Sequence, residues 1–466
     1  MLEKLYQLFL QCNGVTTDSR KCPKDSMFIA LKGDKFNGNV FVSKALEAGC
    51  KYAVIDEAQY LIENDPRYIL VDDGLQTLQR LANYHRRQLG APIPCEAGGK
   101  GIPVIGITGT NGKTTTKELT AAVLSKKYNV LYTQGNLNNS IGVPLTVLSM
   151  KPEHDIAIIE MGASHPGDIQ ELVDVCEPNI GLITNVGRAH LQGFGSFEGV
   201  KRTKGELYDF LKKNNGEVII NADSEDLLGM AQERGLEHLT FYGEHSPLAR
   251  VVGQVTDHSA FLHFQWTEVL PPNSPSTLEE VAKNQKAIST VNGQRSTVNS
   301  QLIGDYNLPN MLAAITIGLK FGVDEQSICE ALEAYEPHNN RSQLTKTQHN
   351  TLIVDAYNAN PTSMQAALDN FYRLEADNKM LILGEMRELG QESAQEHQKI
   401  VSLIQDYGFG DVILVGEEFI KTGTNYPCYA DVNALVEVLK ANPPQGKTIL
   451  IKGSNGTKLF TLPELL

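Results

Sequence analysis

Short β-branched runs alternate with stretches of helical spacing along most of this chain, which is the pattern of an α/β protein with largely parallel sheets. Two further observations divide it. Its 466 residues exceed what one common domain holds and suggest about three. At 102–118 a strand-like run passes through a glycine-bearing turn into a helix, so a complete strand-turn-helix unit opens the middle of the chain. The expected architecture is an N-terminal α/β domain over 1–98, a central domain with a mostly parallel sheet over 102–337, and a C-terminal doubly wound α/β domain over 338–466.

Taken in order, strands are predicted over 27–31, 52–55 and 68–71, with helices over 41–48 and 75–88. The segment A-P-I-P-C-E-A-G-G-K-G at 91–101 reads as a linker. Next comes I-P-V-I-G-I at 102–107, with the β-branched character of a buried parallel strand, and from Thr114 onward Leu119, Val123 and Leu124 share one helical face. That helix ends in Lys126 and Lys127, where cations suit the dipole. Strands recur at 130–132, 156–159, 180–183 and 218–220, then at 251–255 and 260–266. The polar, turn-rich 271–294 is expected to be a surface loop, and no function is assigned to it. Strands at 352–354, 380–383, 412–415 and 448–451 make the last module Rossmann-like, and the helix after Pro361 sets Met364, Ala367, Leu368 and Phe371 on one face.

Composition narrows the function classes. Seven scattered cysteines, with no C-x-x-C pair, indicate neither a disulfide framework nor a zinc site, and fit the reducing cytoplasm. A net charge of −14 argues against nucleic-acid binding. The first residues, M-L-E-K-L-Y-Q-L-F-L-Q, hold too short an apolar run for a signal sequence, and no stretch is long enough for membrane insertion. A soluble monomer acting on small molecules is expected.

The strongest chemical signal is Thr108-Gly109-Thr110-Asn111-Gly112-Lys113-Thr114-Thr115. Glycines let backbone N–H groups turn around an anion, and the helix that follows aims its positive end at the same point. Lys113 adds a mobile charge for the outer phosphates of a nucleoside triphosphate, and the Thr114 hydroxyl is placed to ligate magnesium. The generic phosphate loop has glycine where this chain has Ile107; the plain alternative is a Gly-rich turn with no ligand.

Other polar groups follow strand-like runs, where ligands gather in parallel sheets. Glu160 and His190 do so; each alone reads as a helix cap or a structural histidine, but both would converge on the edge that carries Thr114. Asp355, Glu385 and Lys452 end strands of the last module. Thr17-Asp18-Ser19-Arg20 and the cluster containing Phe36, Asn37, Gly38 and Asn39 read, as residues alone, as solvated turns. Asn310 alone reads as an N-cap.

T-G-T-N-G-K-T-T resembles the phosphate loop of the Mur ligase family, ATP-dependent amide ligases related to folylpolyglutamate synthases. The likeness runs over nearly the whole chain. T-D-S-R and G-D-x-F-x-G are similar to N-terminal signatures of the branch that adds D-alanyl-D-alanine, implying that Thr17, Asp18, Ser19, Arg20, Phe36, Asn37 and Gly38 hold the UDP end of UDP-N-acetylmuramoyl-tripeptide; Asn39 stands where the family has histidine. G-N-L-N-N-S-I-G-V-P implies Asn138 and Asn139 near the phosphates, and N-x-x-N-x-L-A-A implies Asn307 and Asn310 on the adenine side. E-M-G-A and N-V-x-x-A-H-L-x-G-F-G-S imply Glu160 and His190 as magnesium ligands, and T-K-G-E-L-Y implies that Lys204 is carried as a carbamate; a surface lysine at the start of a helix over 205–211 is the alternative.

In the last module, D-A-Y-N-A-N-P and G-E-M-R-E-L-G resemble motifs of the same branch. They imply Asp355 on the nucleotide and Tyr357, Asn358 and Asn360 on substrate; Arg341 matches the arginine that starts the family's third domain, implying a place on the nucleotide, and K-G-S implies Lys452 and Ser454 on substrate, with Asn455 where the family often has arginine. The reaction implied is ATP-driven activation of the tripeptide carboxylate as an acyl phosphate, followed by attack of the D-alanyl-D-alanine amine. Lys113, Arg341 and a magnesium ion held by Thr114, Glu160, His190 and Lys204 would neutralise the converging anions. A relative that adds a single amino acid, a folylpolyglutamate synthase and a nucleotide-binding regulator are the alternatives.

Overall fold

The computed structural model describes residues 1–33, 36–90, 101–269, 295–337 and 343–466. Its N-terminal strands are β1 (Val15–Thr16), β2 (Met27–Ile29), the antiparallel pair β3 (Lys32–Gly33) and β4 (Phe36–Asn37), β5 (Tyr52–Ile55) and β6 (Tyr68–Leu70). Of these, β1, β2, β5 and β6 form a parallel sheet in that order. The central sheet takes β7 (Val104–Thr108), β8 (Val130–Tyr132), β9 (Ile156–Glu160), β10 (Ile180–Ile183), β11 (Glu217–Asn221), β12 (Leu239–Gly243), β13 (Val251–Val255), β14 (Phe261–Glu268) and β15 (Ser296–Ile303). Its nine strands run β15-β14-β13-β12-β11-β10-β7-β9-β8, parallel from β8 to β13 and antiparallel beyond.

β7, β9 and β10 are buried along their whole length, which explains why they read as uninterrupted apolar runs. Helices Lys113–Leu124 and Leu308–Lys320 cover one face, filling a core with Leu119, Val123, Met311 and Ile315. On the other face the helices Asp168–Cys176 and Phe197–Lys213 share a continuous apolar core with the helix Gly74–Gln88 from the N-terminal sheet. The N-terminal module is therefore built onto the central sheet. The expected boundary near residue 98, the start at 338 and the loop 271–294 all lie outside the described residues.

The C-terminal sheet contains β16 (Gln343–Lys346), β17 (Thr351–Asp355), β18 (Lys379–Gly384), β19 (Asp411–Val415), β20 (Cys428–Tyr429) and β21 (Thr448–Lys452), in the order β16-β17-β21-β18-β19-β20. Only β16 is antiparallel. In both larger sheets the strand order departs from chain order around an inner strand, β7 in one and β21 in the other, and the crevices at the carboxyl ends of those strands face a common space.

Most predicted strands are present within a residue or two. β1, β3, β4, β12, β15, β16 and β20 were not foreseen. β15 carries S-T-V-N-S-Q-L-I, alternately buried and exposed on an antiparallel extension, so its apolar content is too low to resemble the inner strands. The segment expected as a helix over 205–211 belongs to the longer helix Phe197–Lys213.

Arg86 fastens the two first modules. It is buried, its Nε donates to Cys176 O (3.2 Å), and its Nη groups donate to Gly90 O (2.8 Å) and Asn179 Oδ1 (3.4 Å). Removing it takes a donor from the buried Cys176 carbonyl and leaves a cavity where the stem packed. Arg86→Ala should lower unfolding free energy in a denaturant titration by about 2–4 kcal/mol.

Candidate active site

The turn after β7 is shaped by two glycines at positive φ, Gly109 at 146° and Gly112 at 80°. Gly112 is tightly constrained, since a Cβ there would lie 2.5 Å from Asn310 Oδ1. The loop is held from the β10 side: Thr110 N donates to Asn185 O and Asn111 N to Asn185 Oδ1, both at 3.0 Å, and Thr184 Oγ1 donates to Asn111 O. From the other side Thr116 Oγ1 donates to Asn310 Oδ1 (3.0 Å), Asn310 Nδ2 to Asn307 Oδ1 (2.9 Å) and Asn307 Nδ2 to Ile303 O (2.8 Å). Asn307 and Asn310 thus brace the loop as well as line the cavity in front of it.

Lys113 begins the helix Lys113–Leu124, whose first-turn N–H groups have no intrahelical acceptor. Its Nζ donates to Gly109 O (2.8 Å) and Thr110 O (3.0 Å). Lys204 Nζ reaches the same Gly109 carbonyl, at 3.0 Å. Lys204 lies in the middle of the helix Phe197–Lys213 and is only 2% exposed, which removes the surface-lysine alternative. Burial, reinforced by the Lys113 ammonium, pushes its amine well below the ordinary lysine range. Thr108 is buried at the end of β7, and Thr115 faces the cavity.

Glu160 ends β9 and is 1% exposed. Its Oε1 accepts from Thr114 Oγ1 (3.1 Å) and Asn138 Nδ2 (2.8 Å), while Oε2 is buried with no hydrogen-bond partner. Lys117, which the sequence reading passed over, lies 3.8 Å from that oxygen and donates to Thr133 O (2.8 Å). Its place one helical turn after Lys113 on a buried face was the available signal. Among the described residues no three His, Cys, Asp or Glu side chains form a metal cage. An orphaned carboxylate oxygen beside a threonine hydroxyl nevertheless fits a divalent ion that shares its shell with phosphate oxygens. Asn139 Oδ1 accepts from Ile141 N (3.1 Å) and Gly142 N (2.9 Å), fixing the turn that presents Asn138.

His190 has a left-handed backbone, φ 51°, and its Nδ1 pairs with Glu388 of the C-terminal module. Burial pushes its pKa down, against the pull of Glu388. Arg188 Nη1 meets Glu392 Oε2 at 2.8 Å across the same boundary. Glu388 and Glu392 were not singled out, because a partner from another module leaves no local spacing to read.

These groups open on a cavity of about 1020 Å³. One wall is Thr110 to Thr115 with Asn138, Asn139, Glu160 and His190; the facing wall is Asp355, Tyr357, Asn358 and Lys452. Asp355 and Lys452 pair with each other across adjacent strand ends, and Lys452 also donates to Asn358 O (3.4 Å). Asn360 caps the helix Pro361–Arg373 through Ser363 N (2.9 Å), and Ser454 Oγ, buried, accepts from Arg387 N (3.2 Å). Neither lines the cavity. Arg341 lies outside the described residues.

The N-terminal candidates form a separate group. Asp18 accepts from Arg20 Nε and Nη2, both at 2.9 Å, which holds its carboxyl down at about 2. Phe36 is exposed and stacks on Phe41, and Asn37 caps the turn Gly38–Phe41 while donating to Glu57 Oε2 (3.1 Å). Gly38 packs on Leu31, and Asn39 is buried, donating to Asp56 Oδ1 at 2.7 Å. Thr17 and Ser19 are partly buried in the same turn as Asp18.

The chain matches the Mur ligase middle domain over residues 107–318, the Mur ligase glutamate ligase domain over 340–455 and the Mur ligase family catalytic domain over 11–86. Over 96% of its length it is 34% identical to the UDP-N-acetylmuramoyl-tripeptide--D-alanyl-D-alanine ligase of Bacillus subtilis (strain 168), covering 91% of that protein. The chain belongs to the Mur ligase family. The Escherichia coli (strain K12) Mur ligase of the same name is 32% identical over 96% of this chain and 92% of its own. Among solved Mur ligases, MurF from Acinetobacter baumannii superposes with a TM-score of 0.81 at 26% identity, covering 99% of this chain and 97% of that one. MurF from Thermotoga maritima in complex with ADP shares the fold at a TM-score of 0.79 and 23% identity, covering 98% and 97%. Such Mur ligases are ATP-dependent enzymes, and this chain is one of them.

Two outcomes follow from the loop geometry. Lys113 contributes its charge to the loop and nothing to the apolar cores, so Lys113→Ala should leave thermal unfolding unchanged while turnover falls roughly 100- to 1000-fold. Lys204 holds its proton less tightly folded than unfolded, so below the unfolded lysine value it lowers stability, and the loss is recovered as pH rises toward that value. Lys204→Met should therefore be more stable than the parent in bicarbonate-free buffer at pH 7, with the gain narrowing by pH 10; chemical denaturation at both pH values measures it.

Proposed function

We propose that this chain joins D-alanyl-D-alanine to UDP-N-acetylmuramoyl-tripeptide with ATP, acting as a monomer in the cytoplasm. The observation that carries this reading is the single cavity between a phosphate loop and the strand ends of a second α/β sheet. A nucleotide switch needs only the first wall. Two walls with separate polar sets suit a reaction in which an activated acid on one side meets an amine on the other, and both walls come from one chain. Full-length likeness to relatives named for this reaction narrows the acid and the amine.

A carboxylate and an ammonium do not condense in water, so the acid must be activated. One oxygen of the tripeptide carboxylate attacks the γ-phosphorus of ATP, the bond to the β-phosphate oxygen breaks, and ADP leaves. The free amine of the dipeptide then attacks the acyl carbon, inorganic phosphate departs, and the nitrogen loses a proton. Lys113 and the first-turn N–H groups of its helix bind the phosphates; Arg341 is proposed to approach them from the C-terminal module. Thr114, Glu160, His190 and a carbamate on Lys204 would hold magnesium, which supplies charge neutralisation on the transferred phosphoryl group. The low proton affinity of the Lys204 amine favours the neutral form that adds carbon dioxide. Asp355, Tyr357, Asn358 and Lys452 are assigned to orienting the dipeptide, Asn138 and Asn139 to the phosphate side, and Thr17, Asp18, Ser19, Arg20, Phe36, Asn37 and Gly38 to the UDP end.

Product mass is the direct test. Incubation with ATP and UDP-tripeptide should yield a product heavier by one dipeptide residue only when D-alanyl-D-alanine is present; an equal yield with single amino acids or folate would overturn the reading. Lys204→Ala should be inactive and partly restored by acetate in place of the carbamate, whereas Lys204→Arg, which keeps charge and volume, should not respond. Full activity of Lys204→Ala without bicarbonate would remove the carbamate from the scheme.

A further inference from the structure

The side chain of Asn111, at the tip of the phosphate loop, points across the cavity boundary to a residue 249 positions away. Asn111 Nδ2 donates to Asn360 Oδ1 (3.3 Å), and Asn360 Nδ2 donates back to Asn111 Oδ1 (2.8 Å). The main chain of Asn111 is already occupied, with its N–H on Asn185 Oδ1 and its carbonyl accepting from Thr184 Oγ1 and Asn185 Nδ2 (3.1 Å). Asn360 is likewise fixed, because its Oδ1 caps the helix Pro361–Arg373 through Ser363 N. Each asparagine is thus oriented by its own module and presents an amide to the other.

A second contact lies beside the first. Arg188 N donates to Thr362 Oγ1 (3.3 Å), and a Cβ added to Gly187 would lie 2.7 Å from that hydroxyl. Gly187 N in turn donates to Thr110 Oγ1 (2.9 Å), so the first turn of the C-terminal helix touches both the loop tip and the segment that braces it. Two reciprocal amide hydrogen bonds specify one registration, since a shift of an ångström breaks both.

We propose that Asn111 and Asn360 are positioning residues: their paired amides register the C-terminal module on the phosphate loop, so that an acceptor held by that module is aligned with the acid activated on the central one. This rests on the two-substrate reading above. Asn111 acts through Asn360 and does not bind the nucleotide with its side chain.

The test uses full-length protein, ADP as the nucleotide probe, and the dipeptide ligation assay. Asn111→Ala removes both hydrogen bonds without touching the helix cap, and Asn360→Ser removes them while keeping a capping oxygen. Each should lower kcat for ligation about tenfold with ADP affinity held within about twofold, and the double variant should be no slower than the slower single one, because the two side chains act as a unit. If Asn111→Ala weakens ADP binding as much as it slows ligation while Asn360→Ser ligates normally, Asn111 is a nucleotide ligand and the proposal fails. Independent, multiplying losses in the double variant, or normal kcat in both, also overturn it. Failure of the parent protein to ligate the dipeptide would instead overturn the reaction assigned above. Asn360→Ser unfolding at low temperature would leave Asn111→Ala to decide by its own split between kcat and ADP affinity.

Discussion

The phosphate loop is held from three directions, and the rest of the architecture serves that hold. Asn185 after β10 takes two of its main-chain N–H groups, Asn310 in the helix Leu308–Lys320 backs Gly112, and Asn360 in the C-terminal module meets Asn111. A loop that must present N–H groups to a polyanion cannot hydrogen-bond to itself as a helix or a strand does, so its shape has to come from its neighbours. Each neighbour is an asparagine because an amide offers a donor and an acceptor at short reach and adds no charge of its own.

Charge under the loop follows from the same demand. The floor holds Lys204, Lys117 and Glu160, all nearly inaccessible to water, together with the partly exposed Lys113. Two lysine amines share the Gly109 carbonyl, and burial, with the Lys113 charge beside it, lowers the affinity of Lys204 for its proton. A site that is uncomfortable by itself and relieved by phosphate oxygens, or by an anionic form of Lys204, prefers its ligands to water. Glu160 Oε2, with no hydrogen-bond donor and the Lys117 ammonium 3.8 Å away, expresses the opposite need, for closer positive charge.

Sequence made the inner strands and the loop legible because their signals are local. β7, β9 and β10 are continuous apolar runs, and the turn from Thr108 to Thr114 carries its glycines, lysine and hydroxyl within one short segment. Glu160 and His190 were found by their positions after strands, and both line the cavity. What stayed hidden was set by partners distant in the chain. Nothing near Asn360 signals Asn111, and nothing near His190 signals Glu388. β15 was missed for a different reason: an antiparallel strand on the flank of a parallel sheet alternates polar and apolar residues and carries a weak pattern. The depth of Lys204 was invisible because a lysine is expected at the surface, and only its helix, packed under the loop, places it otherwise.

The two outer modules are attached to the central sheet with different balances of apolar and polar contact. The N-terminal module shares an apolar core with the central one and is pinned by the buried Arg86, with His85 Nε2 on Met150 O at 2.8 Å. Separating it would expose that core. Around the cavity the C-terminal module meets the central one through polar pairs, Arg188 with Glu392, His190 with Glu388 and Asn111 with Asn360, beside an apolar cluster in which Leu191, Phe194, Val200 and Ile303 join Met364 and Leu383. Polar pairs can be exchanged for water at small net cost, because each lost partner is replaced by a solvent hydrogen bond. Substrates must enter between these walls and a peptide product must leave, and we propose that the C-terminal wall moves to admit them, because the polar contacts it would give up around the cavity tolerate water.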